Sequence, residues 1–457
     1  MIATQFKFFL DRGWAVPLVL IAAILAAWGA GRIGERNRMD PWLGDAASYN
    51  ELSSQFAGSF LPGGTDGVRN ELYTFVGRWL APTGTGDFAD GLRRANAWLA
   101  GMMTALLGAV FLWTLRPADA VLLTYFYALG LAVPIAQYVA AENLYWGLFA
   151  LAFIGGCLTL RTGRAAAALA TGVAVGLAYL AKPSTGPLLT LLGACLLVRG
   201  VLAWRAADGG RRALGPVVVP FACVVLAASA VMLPRWVYAA GKFEGAFDFN
   251  AAAYHFWADS WEQCLQKYMD CSPKAMAKMP PGERPTAANY FRRNGWEGVI
   301  RRAGWGGYAR LRQLLLPANP FRFLPREMSE SWRTTVFPFR DIVALGFLAL
   351  PAMAVAGGSR LPPVGGSLLW PALFAVGTLA LYLVASAWYF PIASGYRFTN
   401  ALVLPMCWFA LYVRRELGPC VRKGEPAVCW GLAALVTSGI LLLLFDPRPF
   451  AEIWQTF

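Results

Sequence analysis

Histidine is almost absent: the chain of 457 residues has a single one, His255. That excludes a catalytic or metal site built from clustered histidines within one chain. Charge is scarce as well. Asp, Glu, Lys and Arg make up 14% of the residues, against about 25% in a soluble protein. Hydrophobic residues make up 57%, and the mean hydropathy is +0.47. Those proportions exclude a water-soluble enzyme. Eight cysteines in this length do not make a disulfide scaffold. Acidic residues are outnumbered, 26 against 40 Lys plus Arg. The basic excess lies mostly in loops, which suits anionic lipid surfaces and phosphate groups and argues against a nucleic-acid partner.

What the chain has instead is long apolar runs. A bilayer core takes about 20 such residues per helix. Eleven runs qualify: 14–31, 96–115, 120–139, 143–160, 165–181, 184–198, 214–234, 342–359, 364–388, 399–413 and 427–445. None contains Asp, Glu, Lys or Arg, and the fifth and sixth are short and meet at Pro183. The fold class expected is an all-α polytopic membrane bundle of about 11 helices. It divides into an N-terminal transmembrane module (1–234), a large loop domain (235–341) and a C-terminal transmembrane module (342–457). The first run is longer than the roughly 7–15 residues of a signal-peptide core, so it is expected to be a retained helix.

Short connections set the orientation. Arg161 and Arg164, then Arg199, Arg205, Arg211 and Arg212, then Arg414, Arg415, Arg422 and Lys423 occupy alternate connections, which should be cytoplasmic. The opposite short links hold only Lys182 and Arg397 as basic residues. The N-terminus is then inside, the C-terminus outside, and the long loops 32–95 and 235–341 outside. Five acidic residues fall on the inner side and 21 on the outer. Any chemistry is expected to face outward.

Within loop 32–95, Leu52 and Phe56, then Leu72, Phe75, Val76 and Trp79, recur at helical spacing. They predict two short amphipathic helices, lying at the membrane surface or packed on the second outer loop. Loop 235–341 is rich in aromatic and basic residues. Its segment 286–316 has helical periodicity interrupted by Gly304, Gly306 and Gly307. A small, mostly helical cap is expected there. Cys264 and Cys271 are the cysteines of this loop, and whether they form a local disulfide stays open at this level.

Polar residues gather at the outer ends of the spans. Asp40 and Asp45 follow the first, Glu142 and Asn143 open the fourth, and Lys182 closes the fifth. Arg235 ends the seventh, and Tyr396 and Arg397 precede the tenth. An acid beside several cations at headgroup depth suits transfer from a lipid-linked phosphosugar. Cations neutralise a departing phosphate, and a carboxylate accepts the proton of an attacking hydroxyl. Singly, each residue has a plainer explanation. Interfacial Lys and Arg snorkel to headgroups, and an acid favours a helix start.

The segment 43–57, LGDAASYNELSSQFA, resembles the first outer loop of the GT-C glycosyltransferases, in which Gly-Asp and a following Tyr come after the first span. Further pieces match in order. Glu142-Asn143 is similar to the acidic opening of the family's fourth span, and Gly176 to Pro183 to its Gly-Leu…Thr-Arg-Pro signature. Pro234-Arg235-Trp236 looks like the stretch entering the large loop, and Gly395-Tyr396-Arg397-Phe398 to Pro405 like a late Arg-Tyr…Pro motif. The pattern is similar to the branch that holds the aminoarabinose transferases and protein O-mannosyltransferases. The likeness covers roughly 1–250 and 385–415.

It implies a multi-pass protein of the bacterial inner membrane that moves a sugar, with inversion, from a polyprenyl-phosphate donor. The acceptor would be the hydroxyl of a lipid, glycan or protein at the periplasmic face. Asp45 would be the catalytic base and Glu142 a second cavity acid. Lys182, Arg397 and Arg235 would contact the donor phosphate, with Asp40, Tyr49, Asn143 and Tyr396 lining the cavity. No cofactor is implied, and no metal-ligand cluster is visible in the sequence. Ala46, Lys182 and Phe398 stand where Glu, Arg and Tyr are common in the family, which weakens any inference about the sugar. Two other classes remain open: an O-antigen ligase or polymerase, and a transporter or flippase of lipid-linked sugars.

Overall fold

The computed structural model describes residues 13–36, 45–55, 69–80, 88–136, 139–206, 215–242, 252–268, 273–315, 343–349, 368–392 and 397–417. Among the described residues all regular structure is helical. The long helix α1 (Ala15–Arg36) is followed by the short α2 (Asp45–Gln55) and α3 (Leu72–Trp79). Next come α4 (Ala89–Thr114) and α5 (Pro117–Tyr127), the latter carried by a π-helical turn to Ile135. Then follow α6 (Glu142–Thr162), α7 (Ala165–Ala181), α8 (Gly186–Ala206) and α9 (Gly215–Lys242). Three short helices, α10 (Ala252–His255), α11 (Trp261–Lys267) and α12 (Pro273–Lys278), lead into α13 (Ala287–Leu315). A helical segment over 343–349, α14, precedes α15 (Leu369–Trp388) and α16 (Arg397–Leu417).

Among the described residues, 7 helices are long and apolar enough to cross a membrane: α1, α4, α5, α6, α8, α9 and α15. The apolar α7 is shorter, at 17 residues. The expected run 399–413 lies within α16, 342–359 is described only over 343–349, and 427–445 lies outside the described residues. Burial separates inner helices from outer ones. The spans of α5 and α6 are each 83% buried, and those of α8 and α9 only 28%. Outer helices expose Leu20, Ile24, Met102, Leu202, Leu226 and Val376, whereas Asn96, Thr104, Glu142 and Asn143 are buried. Apolar outside and polar inside is the arrangement lipid demands. The chain is a polytopic helical membrane protein.

Packing follows small residues. Gly172 and Gly176, one turn apart on α7, lie against Val224, Ala227, Ala228 and Val231 of α9. A Cβ at Gly172 would come within 2.7 Å of Ala227 Cβ, and one at Gly176 within 2.7 Å of Val231 Cβ. Their absence lets the two backbones approach closely, as in small-xxx-small membrane contacts.

At the end of the bundle where α6 finishes, arginines bind helices together. Arg414 of α16 meets Asp119 of α5 at 2.7 Å, both side chains 6% exposed. Arg161 pairs with Glu416 at 2.8 Å and also reaches the Tyr412 hydroxyl. Trp408 Nε1 donates to Thr114 Oγ1 at 2.9 Å.

Helices α10–α13 form a small cap against α15. The Arg302 guanidinium lies over the rings of Tyr290 and Trp388, at 4.9 and 4.6 Å, and donates to the carbonyls of Ala258, Phe256 and Trp388. Two expectations change here. The break in the long cap helix falls at Gly295, whose φ of 61° is a left-handed conformation suited to glycine, while Gly304, Gly306 and Gly307 are helical. The seventh span continues to Lys242 and does not stop at Pro234. Cys264 is a free, buried thiol, pushed up to about 11 by burial although the Arg302 charge opposes this. Cys271 lies outside the described residues.

Two outcomes follow from these contacts. Arg414→Ala strands a buried carboxylate, so it should destabilise the protein by about 3 kcal/mol, against about 1 or less for Arg161→Ala at its more exposed pair; thermal unfolding in detergent measures the difference. Burial also lowers the His255 imidazole below its ordinary value, its hydrogen bond to the Tyr268 carbonyl opposing. The unfolded chain therefore binds more protons just below about pH 6.5, and cap stability should fall as pH drops through that window. Protection of amides over 252–268 against hydrogen exchange should fall there in wild type and lose this dependence in His255→Gln.

Candidate functional site

Pro183 ends α7 and holds the preceding Lys182 in an extended conformation, φ −157° and ψ 126°. The Lys182 ammonium reaches Glu142 Oε1 at 2.7 Å. Glu142 is the first residue of α6, where the helix dipole favours a carboxylate. Its side chain is 2% exposed and that of Lys182 20%. The ring of Tyr145 lies 5.8 Å below the ammonium, and Tyr145 OH receives a hydrogen bond from Ser184 at 3.0 Å.

A second pair stands nearby. Arg235, in the last part of α9, has its Nη1 3.5 Å from Glu71 Oε2, and both side chains are fully buried. Glu71 immediately precedes α3. The guanidinium sits 5.9 Å from the ring of Tyr179, whose carbonyl accepts from Asn70 Nδ2. Tyr179 is three residues before Lys182 on the last turn of α7, so the two pairs share that turn.

They share α3 as well. Tyr73 OH donates to Asn96 Oδ1 at 3.0 Å. Burial, and then the nearby Glu142 carboxylate, push this phenol well above its ordinary value. Asn96 Nδ2 donates to the Ala136 carbonyl, and Asn143 Nδ2 to the Asn96 carbonyl, each at 3.2 Å. The circuit runs from α3 to α9, α7, α6, α4 and back to α3. It encloses two carboxylates and two cations. Tyr49 of α2 seals one side, its ring edge-on to Tyr73 at 5.2 Å.

Of the residues expected at the site, Glu142, Asn143, Lys182, Arg235 and Tyr49 are thus brought together. Asp45 and Arg397 are the first residues of α2 and α16, and their side chains lie outside the described residues. Asp45 is one helical turn before Tyr49. Asp40 and Tyr396 also lie outside. Sequence reasoning missed Glu71, Asn70, Tyr73 and Asn96. Glu71 at the start of α3 and Thr74 one turn on are a polar signal beside Phe75 and Trp79, overlooked in favour of the apolar one. Asn96 stood at the edge of an apolar run and read as part of it.

The other face of α3 is different in character. Phe75, Val76, Trp79 and Leu80, with Trp98, Leu99 and Met102 of α4, line an apolar cavity of about 590 Å³. One short helix therefore divides a charged cluster from an apolar groove. Among the described residues no group of three or more His, Cys, Asp or Glu side chains is placed to hold a metal ion.

A buried ion pair contributes little net stability, yet losing one partner is costly. Glu71→Ala leaves Arg235 buried beside an empty place and should loosen α3 from α9 by about 3 kcal/mol, with Glu71→Gln milder. Faster hydrogen exchange confined to α3 and the end of α9 is the expected readout.

No protein-family model matches the chain, and no curated protein matches it.

Proposed function

We propose that the chain is a GT-C-type glycosyltransferase of the bacterial inner membrane, with about eleven spans and the Glu142–Lys182 cluster facing the periplasm. It moves a sugar, with inversion, from a polyprenyl-phosphate donor to a hydroxyl of a lipid, glycan or protein acceptor. The observation that carries this reading is the convergence of Glu142, Lys182 and Arg235, from three separate helices, into one buried circuit at a single end of the bundle. Residues serving only as separate membrane anchors have no reason to meet there.

The chemistry follows from charge. In this reading Lys182 and Arg235 bind the donor phosphate, joined by Arg397, and stabilise the negative charge that grows as the glycosidic bond breaks. Asp45, at the start of α2 one turn from the cluster residue Tyr49, takes the proton from the acceptor hydroxyl. The anomeric carbon passes through an oxocarbenium-like state, and Glu142 holds Lys182 at the required depth. The two-faced α3 supports an amphiphilic donor: its polar face joins the cluster, and its apolar face lines a groove toward lipid.

Purified protein in nanodiscs, supplied with a labelled polyprenyl-phosphate sugar, tests the assignment. Asp45→Asn should lower transfer at least about a hundredfold, within the range of general-base catalysis, with donor binding nearly unchanged. Lys182→Ala and Arg235→Ala should weaken donor binding itself. Wild-type turnover in Asp45→Asn overturns the base assignment.

A further inference from the structure

Beyond its break at Gly295, the cap helix α13 has two unlike faces. Arg302, Gly306, Ala309 and Arg310 are buried at helical spacing, and through Arg302, Gly306 and Arg310 this face meets the last turn of α15. The opposite face exposes Trp296, Ile300 and Tyr308, also at helical spacing, with Trp305 beside them. Ile300 is 68% exposed and Trp296 73%. Across the break, the ring of Phe291 meets that of Trp296 edge-on at 5.2 Å, so the apolar surface continues into the first part of the helix. A contiguous exposed patch of this kind marks a contact with protein or membrane.

Three observations select membrane lipid. The first is depth. Arg302 and Arg310 stand about 12 Å apart along α13, yet they donate to the carbonyls of Trp388 and Ser386, and Gly306 rests on the carbonyl of Ala387 between them. A helix running alongside α15 would meet residues much further apart, so α13 crosses the end of that span steeply and runs near the membrane plane. Val384, about 3 Å below Ser386 along α15, is exposed as a lipid-facing side chain is. The crossing therefore lies at headgroup depth. The second is residue type: Trp and Tyr collect at the water–lipid boundary. The third is charge. Arg292 and Arg301 are exposed with these rings, against Glu297, while Arg293 pairs with Asp259. The exposed side of α13 thus carries aromatic rings and a net positive charge, the make-up of a helix lying in a headgroup layer.

We propose that this face of α13 is a lipid-docking surface: its rings enter the headgroup layer at this end of the bundle, and Arg292 and Arg301 select anionic phospholipids there. The inference uses only the cap and the span it crosses, so it stands apart from the glycosyltransferase reading.

Photocrosslinking in the full chain tests it. The photoreactive p-benzoylphenylalanine replaces Ile300 or, in a separate sample, Val384 as the lipid-facing reference, in nanodiscs of phosphatidylcholine with a minority of phosphatidylglycerol. Lipid adducts are expected at both positions. At Ile300, phosphatidylglycerol should exceed its share in the disc at least about fivefold, the effect of roughly one charge at a membrane surface. Arg292→Glu combined with Arg301→Glu should remove that excess and keep the lipid adducts. Should the reversed chain fail to fold, raised salt takes its place, since it screens exposed charges and should shrink the excess in the wild-type background. Lipid adducts at Val384 with none at Ile300 overturn the proposal: the face then lies in water or, where the adduct is to a second copy of the chain, between copies. Lipid adducts at Ile300 without enrichment, or an enrichment that survives both charge reversal and salt, overturn the selection of anionic lipid.

Discussion

A charge cannot stay unpaired in hydrocarbon, and that constraint arranges the molecule. The apolar runs carry no Asp, Glu, Lys or Arg, so the charges of the membrane-crossing helices are pushed toward their ends. The central helix α6 has Glu142 at its first turn and Arg161 in its last, a separation of about 30 Å. At each end the charges find partners from other helices. The bundle is thus held by two layers of ion pairs with a charge-free middle, where small residues such as Gly172 and Gly176 bring helices together.

The two layers are built differently. At the arginine-rich end, pairs join one long helix directly to another, α16 to α5 through Arg414–Asp119 and α16 to α6 through Arg161–Glu416. At the other end, Arg235 is paired with a residue of the first long loop, Glu71. That loop is therefore a component of the bundle and not a cover laid over it. A lock made of two long helices has little to exchange with a ligand. A pair in which one partner is loop-borne, or in which the cation is the more exposed member, can reorganise without parting the spans.

Seven of the eleven expected runs coincide with helices able to cross a membrane; they were legible because the bilayer imposes a length and a ban on charge that can be counted along the chain. So were the residues at their ends: Glu142 and Lys182 were singled out 40 positions apart and meet at 2.7 Å. Glu71 was not legible. It belongs to a short segment in which apolar spacing is the stronger signal, and nothing local says that Arg235, 164 positions on, will lie against it. The end of α9 was misplaced for a related reason. Proline usually stops a soluble helix, but in a membrane neighbouring helices satisfy the freed carbonyl, and Pro234 is carried within the helix. The break at Gly295 rather than at the Gly304–Gly307 cluster shows the converse: glycine permits a turn, and packing decides which glycine makes one.

Helix α3 shows how these scales connect. Eight residues are far too few to be helical alone in water. It exists because Tyr73 and Thr74 are buried and because Gly77, lacking a Cβ, lets its backbone rest on Leu92 of α4. The seat that orders α3 also delivers Glu71 to Arg235 on one side and aligns Phe75, Val76 and Trp79 as the wall of the apolar groove on the other. A shift of α3 on that seat would move the charged circuit and the groove together. The polar site and the lipid-facing wall are therefore one mechanical unit, which is the coupling that an amphiphilic ligand, charged at one end and apolar along the rest, would engage.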